Sequence, residues 1–350
     1  MRLRGLHTTL AALAFLIAPH ASMAETVRYE PLRFSEILGW GQDDHAAALD
    51  TFRKSCGLTP RNSLVTDMEW RGVCKAAEYA FDARTFFEAA FRPVVITDGS
   101  DPLFTAYFEP ELIASPVRTG EFQHPIYRPP PELNQPWLTR AQIENGVLAG
   151  RGLEIAWLAD PVDAFFLHVQ GSGRLAMTDG SVKRVGFADR NGHPYRSVGR
   201  HMAQLGIFSI HQASAANIRA WVQRNPRDGR RILQHNPSYI FFREVTNLAP
   251  EDGPIGAMSL PVTARRSAAV DPAYTPLGAP VWIETNISTG PWAQLMIAQD
   301  VGSAIKGAQR ADLFLGSGAA AGELAGRVKG DGRMITLLPV ATADRLLRGN

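Results

Sequence analysis

Two aspartates, Asp300 and Asp312, each stand where a short apolar run meets a turn. Leu295-Met296-Ile297-Ala298 ahead of the first is apolar enough for a buried strand. Gly302 and Gly307 then bracket a tight loop, and Ala311 to Leu315 reads as the returning strand. A carboxyl at a strand end beside glycines has no wall of side chains in front of it, so a rigid scaffold can present it in a cleft. The chemistry open to such a pair is acid–base work on a poor leaving group: a glycosidic oxygen departs only when a carboxylic acid hands it a proton. Asp312, between Ala311 and Leu313-Phe314, has the apolar neighbours that raise a carboxyl pKa. Asp300, followed by a glycine-serine loop with Lys306 nearby, is expected to stay ionised. Aspartates bonded to their own backbone in turns would leave the same pattern.

Two further stretches carry binding chemistry. Tyr107-Phe108-Glu109-Pro110 pairs aromatic rings with a carboxylate, and an exposed aromatic face holds a pyranose ring through its C–H surface; a core aromatic beside a solvent Glu is the plain alternative. Gln170-Gly171-Ser172-Gly173 places amide and backbone donors at an expected strand end, where they could meet sugar hydroxyls, or form an ordinary turn. Other classes are poorly served. No Lys-Ser/Thr pair follows the glycines of the 302–307 loop, so it is not a phosphate loop. Neither H-E-x-x-H nor C-x-x-C occurs and the histidines lack ligand spacing, so no metal or cofactor is expected. Ser172 and Ser317 lack the G-x-S-x-G frame of a nucleophile elbow.

The elements that must position these residues change character along the chain. Met1 to Ala24 has a basic start, a short apolar middle and small residues before Glu25, which reads as a secretory signal peptide. It holds two arginines and no acid, so its removal takes the formal charge from +2 to zero; a neutral mature chain argues against a nucleic-acid partner. No other segment approaches roughly 18 apolar residues. The only cysteines, Cys56 and Cys74, are expected to form a disulfide in an exported protein, although a free thiol nucleophile is the sharper alternative. Residues 25 to 95 read as mainly helical, beginning with a helix capped at Asp43-Asp44 and running to Ser55. Strands are expected at Val94–Thr97, Leu103–Phe108, Glu154–Leu158 and Asp163–Gln170. A hairpin is expected around Asp179-Gly180, followed by helices after Ser197, after Ser214 and capped by Asp228. From Tyr239 the chain is again strand-rich with long glycine turns, the texture of a β-barrel rather than a doubly wound sheet.

Several long motifs in order resemble the membrane-bound lytic murein transglycosylase A family with its C-terminal three-aspartate (3D) domain. They are Thr105-Ala106-Tyr107-Phe108-Glu109-Pro110, Trp157 to Phe166, Val169 to Leu175, Asn191-Gly192-His193-Pro194-Tyr195 and Asn236-Pro237-Ser238-Tyr239. Asp271 with Pro276-Leu277-Gly278, Asp300 to Gly307 and Ala311-Asp312 complete the set. The resemblance implies a mainly β fold with a helical N-terminal segment: a double-psi β-barrel, an inserted second β-barrel-like domain, and a groove between them. The expected division is a signal peptide over 1–24, a helical segment over 25–104 that contributes to the barrel domain, an inserted substrate-binding domain over 105–242, and the 3D catalytic barrel over 243–345. The three named aspartates fall on Asp271, Asp300 and Asp312, with Asp312 as the catalytic acid and Asp300 orienting it or supporting positive charge. Tyr107, Glu109, Gln170, Ser172, Asp271 and Lys306 are the expected substrate-binding residues.

Similar enzymes cleave the MurNAc–GlcNAc β-1,4 bond of peptidoglycan glycan strands without water and leave a 1,6-anhydromuramoyl end. A hydrolytic muramidase using Asp300 as base and a non-catalytic wall-binding module are the alternatives. Ala106 and Phe108 stand where such enzymes tend to have Gly and Tyr. No cysteine follows the leader to accept a lipid, so a soluble periplasmic form without a lipid anchor is expected, with outer-membrane association left open.

Overall fold

The structure, a computed structural model, describes residues 27–58, 64–287 and 290–348. The signal-peptide expectation for 1–24 lies outside the described residues. Among the described residues fifteen strands form two sheets. Strands β1 (Arg28–Pro31), β2 (Phe91–Thr97) and β3 (Leu103–Glu109) come first. Strands β4 (Glu111–Ser115), β5 (His124–Tyr127), β6 (Glu154–Leu158), β7 (Ser172–Met177), β8 (Val182–Arg190) and β9 (Ile240–Val245) follow. The last group is β10 (Ser267–Val270), β11 (Pro280–Ile287), β12 (Gly290–Asp300), β13 (Arg310–Ser317), β14 (Lys329–Gly330) and β15 (Gly332–Pro339).

The larger sheet runs β1-β2-β15-β11-β12-β10-β13-β3-β14, and the smaller one runs β5-β6-β4-β7-β8-β9. Both are mixed. In the larger sheet β10 lies parallel to β12, and β13 parallel to β3, while the other pairs are antiparallel. The sheet curls until it nearly closes: Gly330 of the edge strand β14 lies so close to β11 that a Cβ on it would stand 3.2 Å from the Asn286 backbone oxygen. Strand alternation fills the barrel with Phe104, Val270, Val281, Ile283, Met296, Ala298, Ala311 and Leu313.

Outside the barrel three helices, α1 (His45–Ser55), α2 (Asp67–Glu78) and α3 (Ala83–Ala90), pack Phe52, Trp70, Phe86 and Phe87 against Trp282, Leu295 and Ile335. Asp44 caps α1 by accepting from the Ala47 amide at 3.0 Å, and Cys56 and Cys74 are joined in a disulfide with their Cα atoms 5.4 Å apart. A buried ion pair fastens this layer to the barrel: Arg266 donates to both oxygens of Asp43, at 2.9 and 3.1 Å.

The smaller sheet is backed by helices whose core is Val162, Phe165, Val198, Met202, Ile218 and Leu233. Here two expectations fail. Asp163–Gln170 is not a strand but part of the helix Pro161–Gln170: Asp160 accepts from the Val162 amide at 2.7 Å and Pro161 opens the first turn. Its apolar run looked strand-like because Val162, Phe165, Leu167 and His168 are buried on more than one side. Asp228 does not cap its helix, which begins at Pro226; it sits in the first turn and pairs with Arg231 at 3.4 Å. The Asp179-Gly180 hairpin joins β7 and β8 as antiparallel neighbours. No helix among the described residues is long and apolar enough to cross a membrane.

Candidate active site

Asp312 lies inside β13 rather than at its turn, and Asp300 is the last residue of β12. The short strand β10 runs between them. Ala269 is the register partner of both, across the parallel pair on one side and the antiparallel pair on the other, and Thr105 of β3 pairs with Asp312 beyond. A bulge between Ala268 and Ala269 shifts the β12 register so that Asp300 falls beside Ala269. Thr105, Asp312, Ala269 and Asp300 therefore form one row across four strands, on the outer face of the barrel. Beneath them Tyr107, Val262, Ala269, Ile305 and Phe314 form a small apolar cluster, with the Tyr107 and Phe314 rings 5.1 Å apart.

The two carboxyls are held differently. Asp300 Oδ1 accepts from the backbone amides of Ala257 and Val301, both at 2.9 Å, and Oδ2 accepts from the Tyr107 hydroxyl at 2.9 Å. Asp312 Oδ1 accepts from Thr105 Oγ1 at 2.5 Å; among the described residues Oδ2 has no hydrogen-bond partner. Both residues are half-buried. Desolvation raises the Asp300 carboxyl to about 6 against the pull of its three hydrogen bonds, with the neighbouring Asp312 charge adding to the rise. Asp312 is also raised by burial, opposed by the Thr105 hydrogen bond and the Arg310 guanidinium. The polar loop does not set the Asp300 carboxyl: at about 6 it is still mostly ionised near neutral pH, but burial has raised it above the ordinary carboxylate range. It sits on the same desolvated face as Asp312, and Lys306 is turned away from it, toward Asp271. Facing Asp300 and Asp312, the Tyr107 hydroxyl is pushed well above its ordinary range and stays a proton donor.

The remaining expected residues divide into those that meet this pair and those that do not. Tyr107 meets it, yet as a buried ring whose hydroxyl orients Asp300, not as an exposed sugar platform. Glu109 is 1% exposed, and its oxygens accept from Arg174 Nε (2.8 Å), Arg184 Nη2 (3.0 and 3.1 Å) and Ser317 Oγ (2.8 Å). It ties the end of β3 to β7 and β8 of the smaller sheet. Gln170 Oε1 accepts from the Phe108 amide at 3.2 Å, a second tie across the same junction. Ser172 is buried in β7, and the glycine after it is required by close packing: a Cβ on Gly173 would lie 2.5 Å from Leu167 and 3.3 Å from the Pro110 oxygen. Asp271 accepts from the amides of Gly307 (3.0 Å) and Ala273 (3.2 Å) and holds the return of the 302–307 loop. Exposed Lys306 lies 3.6 Å from it. Sequence reasoning missed Thr105 and Arg310, although both stand inside or beside motifs it had marked, and it missed the Ala257 amide, for which no side-chain signal exists.

Comparison with known proteins follows this architecture closely. Residues 103–243 match the MltA specific insert domain and residues 266–338 match the 3D domain. The chain is 34% identical over 255 residues to membrane-bound lytic murein transglycosylase A of Escherichia coli K12, covering 70% of this chain and 68% of that protein. The crystal structure of a membrane-bound lytic murein transglycosylase from Agrobacterium tumefaciens superposes with a TM-score of 0.83 at 34% identity, over 91% of this chain and 99% of that one. Escherichia coli MltA with bound chitohexaose superposes with a TM-score of 0.69 at 29% identity, over 87% and 90% of the two chains. With both characteristic domains in order and most of each relative's length covered, the chain belongs to the MltA family of lytic murein transglycosylases.

Proposed function

We infer that this protein is a lytic transglycosylase of peptidoglycan, cleaving the MurNAc–GlcNAc β-1,4 bond with Asp312 as the single acid/base. The observation that carries the assignment is the contrast between the two carboxyls: Asp300 is committed through both oxygens, whereas Asp312 keeps Oδ2 free of any described protein partner. A free, desolvated carboxyl oxygen is what proton delivery to a glycosidic oxygen needs. Asp312 gives its proton to O4 as the C1–O4 bond breaks. The C6 hydroxyl of the same muramoyl residue then closes on C1, and its proton returns to Asp312. Atoms and charge balance with one proton shuttle and no water. Asp300, mostly ionised near neutral pH with a pKa of about 6, supports positive charge developing near C1.

The hydrolytic reading would use Asp300 to take a proton from water. Its oxygens already accept three hydrogen bonds, which orients it but leaves it poorly placed as a base. A wall-binding module would have no use for two desolvated carboxyls in one row, each costing stability. Saccharide binding agrees with the chitohexaose held by the Escherichia coli neighbour. Placement in the periplasm, facing the cell wall, follows from the substrate and from the leader-like first residues. The test is mass spectrometry of products released from purified sacculi by the mature protein and by Asp312→Asn. Anhydro-ended muropeptides from the wild type, lost in the variant, are expected. Reducing ends would instead mean hydrolysis, and sedimentation with sacculi but no release by either protein would mean a binding module.

A further inference from the structure

The outer face of β3 carries a hydrogen-bond chain whose direction is fixed. Arg310, nearly buried, donates through Nη1 to the backbone oxygens of Leu103 and Ala311 and through Nη2 to Thr105 Oγ1 at 2.9 Å. Thr105 Oγ1 in turn lies 2.5 Å from Asp312 Oδ1. A guanidinium has donors only, so the Thr105 oxygen must accept from Arg310. Among the described residues the Thr105 hydroxyl has no other acceptor, so its one proton points at Oδ1. Oδ1 is therefore committed as an acceptor, and when Asp312 carries a proton that proton sits on Oδ2.

We propose that Thr105 and Arg310 are positioning residues that assign the proton of the Asp312 carboxyl to its outward oxygen and hold the carboxyl plane through both halves of the reaction. The inference rests on Asp312 being the acid/base. It adds a mechanical reason why proton donation and proton return use the same oxygen without the carboxyl having to turn over. The Thr105 hydrogen bond strengthens when Asp312 ionises, since a charged acceptor binds a donor more tightly than a neutral one. It thus favours the carboxylate that leaves the first step and holds it ready for the C6 hydroxyl. The other charged or titratable groups around Asp312 are Asp300 across Ala269, Tyr107 on β3, Arg310 on its own strand, and the exposed Lys329, which pairs with Thr105 from β14.

The experiment compares wild type, Thr105→Val, Thr105→Ser and Asp312→Asn. It uses pH–rate profiles of anhydro-muropeptide release and a ¹³C NMR titration of the Asp312 carboxyl. Valine keeps the shape and the strand preference of threonine, and a thermal melt verifies that the variant is folded. Losing a hydrogen bond to an ionised acceptor moves the Asp312 midpoint, and with it the alkaline limb of the profile, up by about one pH unit in Thr105→Val. Looser placement of the carboxyl lowers kcat by roughly ten- to a hundred-fold with little change in KM. Thr105→Ser restores both. A folded Thr105→Val whose limb and NMR midpoint coincide with those of the wild type overturns the positioning role while leaving the acid assignment intact, provided Asp312→Asn is inactive. Full activity of Asp312→Asn overturns both.

Discussion

Replacing Asp300 by asparagine is expected to stabilise the protein at neutral pH, an outcome opposite to the usual effect of altering a hydrogen-bonded buried residue. Burial lifts the Asp300 carboxyl from 3.8 to about 6 in the native state. That rise of about two units corresponds to about 3 kcal/mol at 1.36 kcal/mol per unit. The sign follows from which state binds more protons. Below about pH 4 both states hold the proton and Asp300 costs nothing. Between about pH 4 and 6 the unfolded chain ionises first, so the native state carries the extra proton and its stability falls as pH rises; above about pH 6 the full penalty is in place. Asparagine fits the same contacts: its Oδ1 can accept from the Ala257 and Val301 amides, and its amide can donate to the Tyr107 oxygen once that hydroxyl rotates. Denaturant unfolding of the two proteins from pH 4 to 8 isolates the effect, because every other titrating group is shared. The stability difference should swing toward Asp300→Asn by about 3 kcal/mol across that range. A difference that stays constant with pH would refute the claim that Asp300 is held desolvated.

Two further outcomes concern the parts that hold the site in place. Glu109→Gln removes the one buried negative charge between Arg174 and Arg184 and should cost about 3–5 kcal/mol in chemical denaturation, since it leaves two guanidiniums facing each other in a buried setting. Changing Cys56 and Cys74 together to serine opens a loop that spans a separation of 18 residues, and should lower stability by roughly 3 kcal/mol and the Tm accordingly, measured against the oxidised wild type.

Much of this arrangement was written in local pattern. Alternation in Thr105-Ala106-Tyr107-Phe108-Glu109 marks one face of a strand, and the glycines at 302 and 307 mark the loop that returns β12 to β13. What the pattern could not carry is partnership at a distance. Glu109 looked like a solvent or substrate carboxylate because its partners Arg174 and Arg184 lie 65 and 75 residues away, on strands of the other sheet. Tyr107 looked like an exposed platform because nothing local says that Phe314 covers its ring. The Asp300 environment was misjudged for the same reason. Its seat beside Ala269 comes from a β-bulge and one of its donors is the backbone amide of Ala257, and neither leaves a mark in residue type. The helix at Pro161–Gln170 was hidden differently, since a helix buried on several sides loses the 3.6-residue pattern by which helices are recognised.

The outward residues of β3 explain why so little machinery is needed. Thr105 meets Asp312, Tyr107 meets Asp300, and Glu109 meets the second sheet. Consecutive outward residues on a strand are spaced by roughly 7 Å, so one element measures off Asp312, Asp300 and the junction with the insert. β3 is paired along Leu103–Tyr107 with β13 and at Phe104 and Thr105 with β14, which makes it a stiff ruler rather than a loop. A reaction that borrows its nucleophile from the substrate's own C6 hydroxyl asks the protein for one accurately placed proton and a saccharide held at a constant height above it. With Asp312 as the proposed acid, mounting its Thr105 partner and the insert's anchor on the same strand supplies both from a single rigid part, and a site built on strands keeps tighter geometry than one built on loops.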